Sequence, residues 1–174
     1  MAPNRWVLSE RGRFGSVLLG ERLARYGSQA IVSSEEPKAV ETAEIVAEYL
    51  GVGCSVYPGL HEHNRTGIPF LSNEEFQQAA RDLFENPDEL VWGNETAEQA
   101  RSRFESAVRR VLDEREEEVV TIVAHGTVIS LFVARYNDVE PYELWQRLGL
   151  PSFCVLTVPG FELRAAACEL KLET

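Results

Sequence analysis

The sequence predicts an α/β protein, a three-layer sandwich with a mostly parallel sheet at its centre and helices on both faces. Three observations lead there. Short apolar runs, "QAIVSS" at 29–34, "CSVYPGL" at 54–60 and "VVTIVA" at 119–124, alternate with longer stretches in which apolar residues recur at helical spacing. Gly27 and Gly51 fall just past two of those stretches, where a helix ends most easily on a residue that tolerates a left-handed backbone. Successive strands are separated by helix-length segments, which implies parallel strands joined by right-handed crossovers.

Taken in order, "LSERGRFGSVLLGERLARYG" reads as a helix entered at Ser9, with Leu19, Leu23 and Tyr26 on one face. After the strand 29–34, Ser33 stands three residues before Glu36 as a capping box, and "KAVETAEIVAEYLG" repeats apolar residues at Ala39, Ala43, Val46 and Leu50. "CSVYPGL" is a short strand. From Glu62 to Gly93 the chain turns polar and irregular, with one helix expected around "NEEFQQAARDLF" and a stop at Pro87, an insertion over the sheet. "ETAEQARSRFESAVRRVLDE" is strongly amphipathic through Ala97, Ala100, Phe104, Val108 and Val111. "VVTIVA" is expected to be a fully buried strand, "TVISLFVARY" the next helix, and "SFCVLTV", "PG" and "FELRAAACELKL" an edge hairpin turned at Pro159-Gly160. "YELWQRL", 142–148, is a late amphipathic segment that suits the core and leaves a homodimer surface open. Trp6, Trp92 and Trp145 are expected to serve packing.

At 174 residues and 44% hydrophobic, the chain is long enough for one domain, 1–174, with a real core. Seventeen Lys+Arg against 28 Asp+Glu, a net charge of -11, leave no electrostatic footprint for nucleic acid or an anionic membrane, so neither partner is expected. Cys54, Cys154 and Cys168 are scattered, with no CxxC pair, which suggests neither a disulfide framework nor a structural metal. No apolar run approaches the roughly 20 residues of a membrane span, and the first residues do not form a signal peptide. The expected location is the cytoplasm.

The apolar run at 121–124 stops at His125-Gly126. In an open α/β sheet, ligands gather outside the carboxyl ends of the strands, where helix N-termini point backbone N–H groups at anions. His125 stands at such an end, Gly126 lets the backbone come close, and the following helix adds the positive end of its dipole. A core histidine bound to a carbonyl is the bland reading; an imidazole needs partners on both nitrogens, and a cleft supplies them more readily.

"SSEEPKAVETAEIVAEYLG", "GLHEHNRTG", "GNET" and "VVTIVAHGTVI", in this order and at these intervals, together with "LSERGR" ahead of "AIVSS", resemble the histidine phosphatase superfamily, the phosphoglycerate mutase-like proteins. The resemblance covers nearly the whole chain. It implies a metal-independent phosphomonoesterase or phosphomutase without a cofactor, acting on a small phosphorylated molecule and able to hold inorganic phosphate. By the same resemblance His125 donates hydrogen bonds to the transferred phosphoryl group and Glu62 protonates the leaving oxygen, a role that needs a pKa raised toward working pH. Lys38 stands where the family carries a phosphate-binding arginine, and a lysine brings charge without a bidentate fork. Arg65 is a candidate for an anionic substrate tail, as are Arg5 and Arg11 at lower rank.

The family's reaction runs through a phosphohistidine in an Arg-His-Gly motif at the end of a first strand. This chain has three histidines, His61, His63 and His125, and none follows an arginine. The expectation is therefore a chain whose start lies late by about two dozen residues, or else a pseudoenzyme, and in either case little or no turnover as written. A noncatalytic phosphoanion-binding module is the alternative from another class; "HEH" as two ligands of a metal hydrolase is a third. On an extended segment His61 and His63 would share one face with Glu62 on the other, and both are expected to be surface residues bordering a cleft. Phosphatase and mutase are not distinguished by these motifs.

Overall fold

The computed structural model describes residues 3–167. After a single 3₁₀ turn at Pro3–Arg5, helix α1 (Glu10–Ala24) begins where Ser9 accepts the Gly12 N–H at 3.1 Å. Strand β1 (Ala30–Ser33) and helix α2 (Pro37–Leu50) follow, and α2 ends on Gly51 in the left-handed region. The capping box expected from Ser33 does not form. Ser33 Oγ donates to the Ser34 carbonyl, the N-cap position falls on Glu36, and Pro37 sets the first turn, where the backbone N–H that proline lacks would have gone unpaired in any case.

Strand β2 (Gly53–Val56), helices α3 (Asn73–Glu85) and α4 (Ala97–Asp113), strand β3 (Val120–Val123), helices α5 (Gly126–Tyr136) and α6 (Pro141–Arg147) and strands β4 (Phe153–Leu156) and β5 (Leu163–Ala167) complete the order. Capping boxes from Ser72 to Glu75 and from Thr96 to Gln99 fix the starts of α3 and α4.

The parallel sheet has the order β2-β1-β3, with Ala30 opposite both Gly53 and Val120. Alternation along β1 divides the core. Ile31 meets Leu19, Leu23, Ala43, Val46 and Ala47 of α1 and α2, whereas Val32 meets Ala100, Phe104, Ala107, Val111, Val128 and Phe132 of α4 and α5. The α1–α2 contact is close because a Cβ on Gly20 would lie 2.9 Å from the Tyr49 ring. A third cluster joins α3, α5 and α6 through Leu83, Phe84, Leu131 and Tyr142, with Trp92 and Trp145 against it, so "YELWQRL" contributes to the core. Trp6 is 42% exposed and leans on Phe70 at the rim.

Two further expectations change. β3 is not fully buried: each of its four residues is partly exposed, because among the described residues β3 pairs with β1 alone. The hairpin β4–β5 does form, antiparallel, but as a separate two-stranded sheet rather than as the edge of the parallel one. Phe153 and Leu156 still reach the two core clusters, one each. The expected continuation of the hairpin past Ala167, Cys168 included, lies outside the described residues.

Gln29 and Ser34 donate to the Val119 and Val123 carbonyls, so in a parallel ladder the odd-numbered residues of β3 turn their peptide groups toward β1 and those of Val120 and Ile122 turn away. Amide exchange followed by NMR should therefore be roughly a hundredfold or more faster at Val120 and Ile122 than at Ile31 and Val32 of the central strand.

Candidate functional site

The loops after β1 and β3 meet at the carboxyl edge of the sheet, as the α/β reading requires. Ala124 follows β3, and His125 takes the N-cap position of α5 in an extended conformation without capping the helix by its side chain. Its ring is turned inward instead. Nε2 lies 2.8 Å from Ser34 Oγ and 3.6 Å from Glu36 Oε1, and the residue is 7% exposed. Burial holds the imidazole below its ordinary pKa of 6.5, against the opposing pull of Glu62 and Glu36.

Glu62 comes from the loop between β2 and α3 and closes the start of α5. Its carboxylate accepts the N–H groups of Thr127 at 3.2 Å, Val128 at 3.3 Å and its neighbour His63 at 2.9 Å. The positive end of α5, expected to face a bound anion, is thus already taken by a carboxylate of the same chain. The expectation of a raised pKa is reversed as well. Burial works to raise it, but His125, Arg65 and the backbone donors outweigh burial and hold the Glu62 carboxyl below 4.5. Gly126 opens α5, where a Cβ would stand 3.4 Å from the Trp145 ring; its smallness serves helix packing as well as approach from outside.

Lys38 projects from the first turn of α2, and Nζ is 2.7 Å from Glu36 Oε2. Glu36 is the main residue that sequence reasoning missed. Only 7% exposed, it receives the Glu62 N–H at 2.9 Å on its other oxygen, and its pKa lies below 4.5 because His125, Lys38 and that N–H overcome the cost of burial. It was in view inside "SSEEPK", but a glutamate ahead of a helix reads as an ordinary N-terminal acid.

The loop 59–66 is held from below by Arg103 of α4, whose guanidinium donates to the carbonyls of Gly59 and His61, each at 2.9 Å, and of Glu62 at 3.2 Å, while pairing with Glu95 at 2.7 Å. "GNET" completes the clamp. A Cβ on Gly93, at φ 82°, would strike the His63 ring at 2.5 Å; Asn94 N–H donates to the Asn64 carbonyl, Glu95 accepts the Asn64 N–H, and Thr96 caps α4. Neither Arg103 nor Glu95 was expected to act at a distance, since nothing local to them marks the pairing.

His63 is not a surface residue. It is 2% exposed, lies beside the Trp92 ring, and its Nε2 contacts the Glu95 carbonyl at 2.8 Å. His61 does border the cleft, with Nδ1 3.4 Å from Glu35. Arg65 is not a solvated loop arginine: its guanidinium lies 4.8 Å from the Trp92 ring centre and 3.9 Å from Glu62. Arg5 and Arg11 are exposed. A cavity of about 370 Å³ opens here, with Asn4, Glu35, Glu36, Lys38 and residues 61–66 among its walls. Of the predicted residues, Glu62, Lys38 and Arg65 line it and His125 touches its wall through Glu36. Among the described residues no three His, Cys, Asp or Glu side chains are grouped to hold a metal ion, so "HEH" does not gather a ligand set.

Two outcomes follow from this network. Replacing Arg103 with Met leaves three carbonyls and Glu95 without their cation and should cost about 3 kcal/mol of stability in urea unfolding. His125 and Glu62 are both depressed in the fold, from 6.5 and 4.5, so the stability they contribute is complete above those values and is lost as pH falls through the lower folded ones. Urea unfolding from pH 8 to 4 should show stability falling first below pH 6.5, with His125→Gln flattening the upper part of the fall and Glu62→Gln the lower.

Comparison with known proteins bears on the same residues. The model of the histidine phosphatase superfamily (branch 1) matches residues 5–169. No curated protein sequence matches significantly. Among solved structures, YhfR of Bacillus stearothermophilus is similar at a TM-score of 0.74 and 27% identity, over 94% of this chain and 85% of that one. A mycobacterial glucosyl-3-phosphoglycerate phosphatase is similar at 0.69 and 22%, over 85% and 76%. A mutant phosphoserine phosphatase of Entamoeba histolytica, in complex with phosphoserine, is similar at 0.72 and 14%, over 92% and 83%. With the family model spanning nearly the whole chain and the sandwich fold in common with these structures, the chain belongs to the histidine phosphatase superfamily.

Proposed function

We propose that the cavity at the ends of β1 and β3 is a phosphoanion site of histidine phosphatase type, taking a small phosphate monoester or inorganic phosphate without a metal. The observation that carries this reading is the convergence of groups from three separated segments on one carboxylate-sized position now filled by Glu36: Lys38 Nζ and the Glu62 N–H donate to it, and His125 Nε2 lies 3.6 Å away. A phosphoryl group asks for the same kind of surroundings, cationic and neutral donors fixed by the fold and turned inward. Support comes from similar structures: the mycobacterial glucosyl-3-phosphoglycerate phosphatase has been captured with inorganic phosphate and with vanadate.

In this reading His125 donates to a phosphoryl oxygen, Lys38 balances its charge, Arg65 meets an anionic tail, Gly126 admits the ligand close to the backbone, and Glu62 exchanges a proton with the leaving oxygen. The last role is the most demanding, because Glu62 is held ionised by the start of α5 and must first be drawn off those N–H groups to carry a proton.

Turnover by these 174 residues is proposed to be weak or absent. A nucleophilic histidine needs an exposed nitrogen in line with the phosphorus. Nε2 of His63 lies on the Glu95 carbonyl and Nε2 of His125 on Ser34, which leaves His61, beside Glu35, as the histidine nearest to an open position. The same observation favours the second reading, a module that binds a phosphoanion without turning it over.

Hydrolysis of p-nitrophenyl phosphate by the chain and by His125→Ala, each with and without EDTA, separates these readings. Little or no hydrolysis is expected, with no effect of EDTA, together with phosphate binding that His125→Ala weakens by about tenfold or more. Hydrolysis abolished by EDTA, or phosphate binding indifferent to His125, would overturn the reading.

A further inference from the structure

Glu36 takes the N-cap position of α2, yet its side chain makes no capping bond to that helix. Its carboxylate turns instead into the wall of the cavity, where it accepts from the ammonium of Lys38 at 2.7 Å and from the backbone N–H of Glu62 at 2.9 Å, and lies 3.6 Å from Nε2 of His125. A residue that forgoes the donors of its own helix for a site that needs an anion acts there as the anion.

We infer that Glu36 is an internal competitor for the phosphoanion seat, a specificity-determining residue that holds the site closed to free phosphate until its carboxylate is displaced. The inference rests on the reading of the cavity as a phosphoanion site. A phosphate dianion entering with Glu36 in place would have to share Lys38 and His125 with one carboxylate while facing a second, that of Glu62, which the start of α5 keeps in position. At short range inside a partly dry cavity, like charges repel by more than one lysine recovers. Binding thus requires an exchange, in which phosphoryl oxygens take over Lys38 and the Glu62 N–H within reach of His125, and the Glu36 side chain swings toward solvent.

The groups around Glu36 suit such an exchange. Lys38, two residues along the same helix, can follow the incoming anion with its four-carbon stem. Ser34 Oγ accepts the Glu36 N–H at 3.2 Å and lies against His125, so the backbone of the turn and the imidazole stay fixed while the carboxylate moves. Glu35 is engaged with His61 on the outer side and leaves the inner position to Glu36.

The test is calorimetric titration of the full chain with inorganic phosphate at pH 7.5. Glu36→Gln keeps the shape and removes the charge; Glu36→Ala removes the side chain and serves if the amide still holds the donors. Glu48→Gln, at the far exposed end of α2, removes the same charge elsewhere. Both Glu36 variants should bind phosphate at least tenfold more tightly than the parent, Glu48→Gln should bind as the parent does, and His125→Ala should abolish the gain. A structural role alone predicts weaker binding, never tighter. If both Glu36 variants bind no better than the parent, or not at all, the inference is overturned, and if His125→Ala and Lys38→Ala weaken phosphate in that case, the site reading survives without it. If phosphate binding ignores His125 and Lys38 in every background, the site reading itself falls.

Discussion

A carboxylate removed from water must find donors for its lone pairs or give up its charge. Glu62 meets that condition at the start of α5, and its backbone ties two further segments to the same point. Its oxygens take the first N–H groups of α5, its own N–H goes to Glu36 ahead of α2, and its carbonyl rests on Arg103 of α4. The loop that carries it has no strand or helix of its own between β2 and α3, so these bonds set its path. Much of the order at this edge of the sheet thus runs through one residue, whose carboxylate holds α5 and whose backbone groups hold Glu36 and Arg103.

The same interactions describe what the site offers chemically. Three carboxylates, Glu35, Glu36 and Glu62, stand among Lys38, Arg65, His61 and His125, and most of the strong donors are committed to partners of the same chain. The cavity is therefore a balanced network rather than an open cationic well, consistent with a protein whose overall charge is strongly negative. A ligand gains affinity here only by replacing bonds that already exist, so selectivity depends on how many of them it can reproduce at once.

Much of the frame was legible in the sequence because it rests on local signals. The apolar spacing of α2 and α4 and the glycine after α2 each act within a turn or two of where they are written. β3 was misjudged for the opposite reason. "VVTIVA" has the composition of a strand covered on both sides, and composition says nothing of whether a second neighbour is present. At the site, His125, Glu62, Lys38 and Arg65 were singled out in the sequence, but the ionisation of Glu62 was not, since the groups that hold it charged are His125, Arg65 and the Thr127 N–H as well as its own neighbour. Arg103 and Glu36 act across 41 and 26 positions of chain, and no pattern of period two or 3.6 marks such pairs.

The separation of β4–β5 from the parallel sheet shapes how the molecule holds together mechanically. Backbone ladders bind the three parallel strands into one body, while the hairpin is attached by side chains: Phe153, Leu156 and Phe161 in the core, and the amide of Asn137, which donates to the Phe161 carbonyl and accepts the Leu163 N–H. Asn137 therefore works as a latch between two bodies, directional where the apolar contacts around it are not. Apolar surfaces can slide over one another with little change in energy, whereas a two-way amide fits at one position, so Asn137, just beyond the end of α5, fixes the register of the hairpin against that helix.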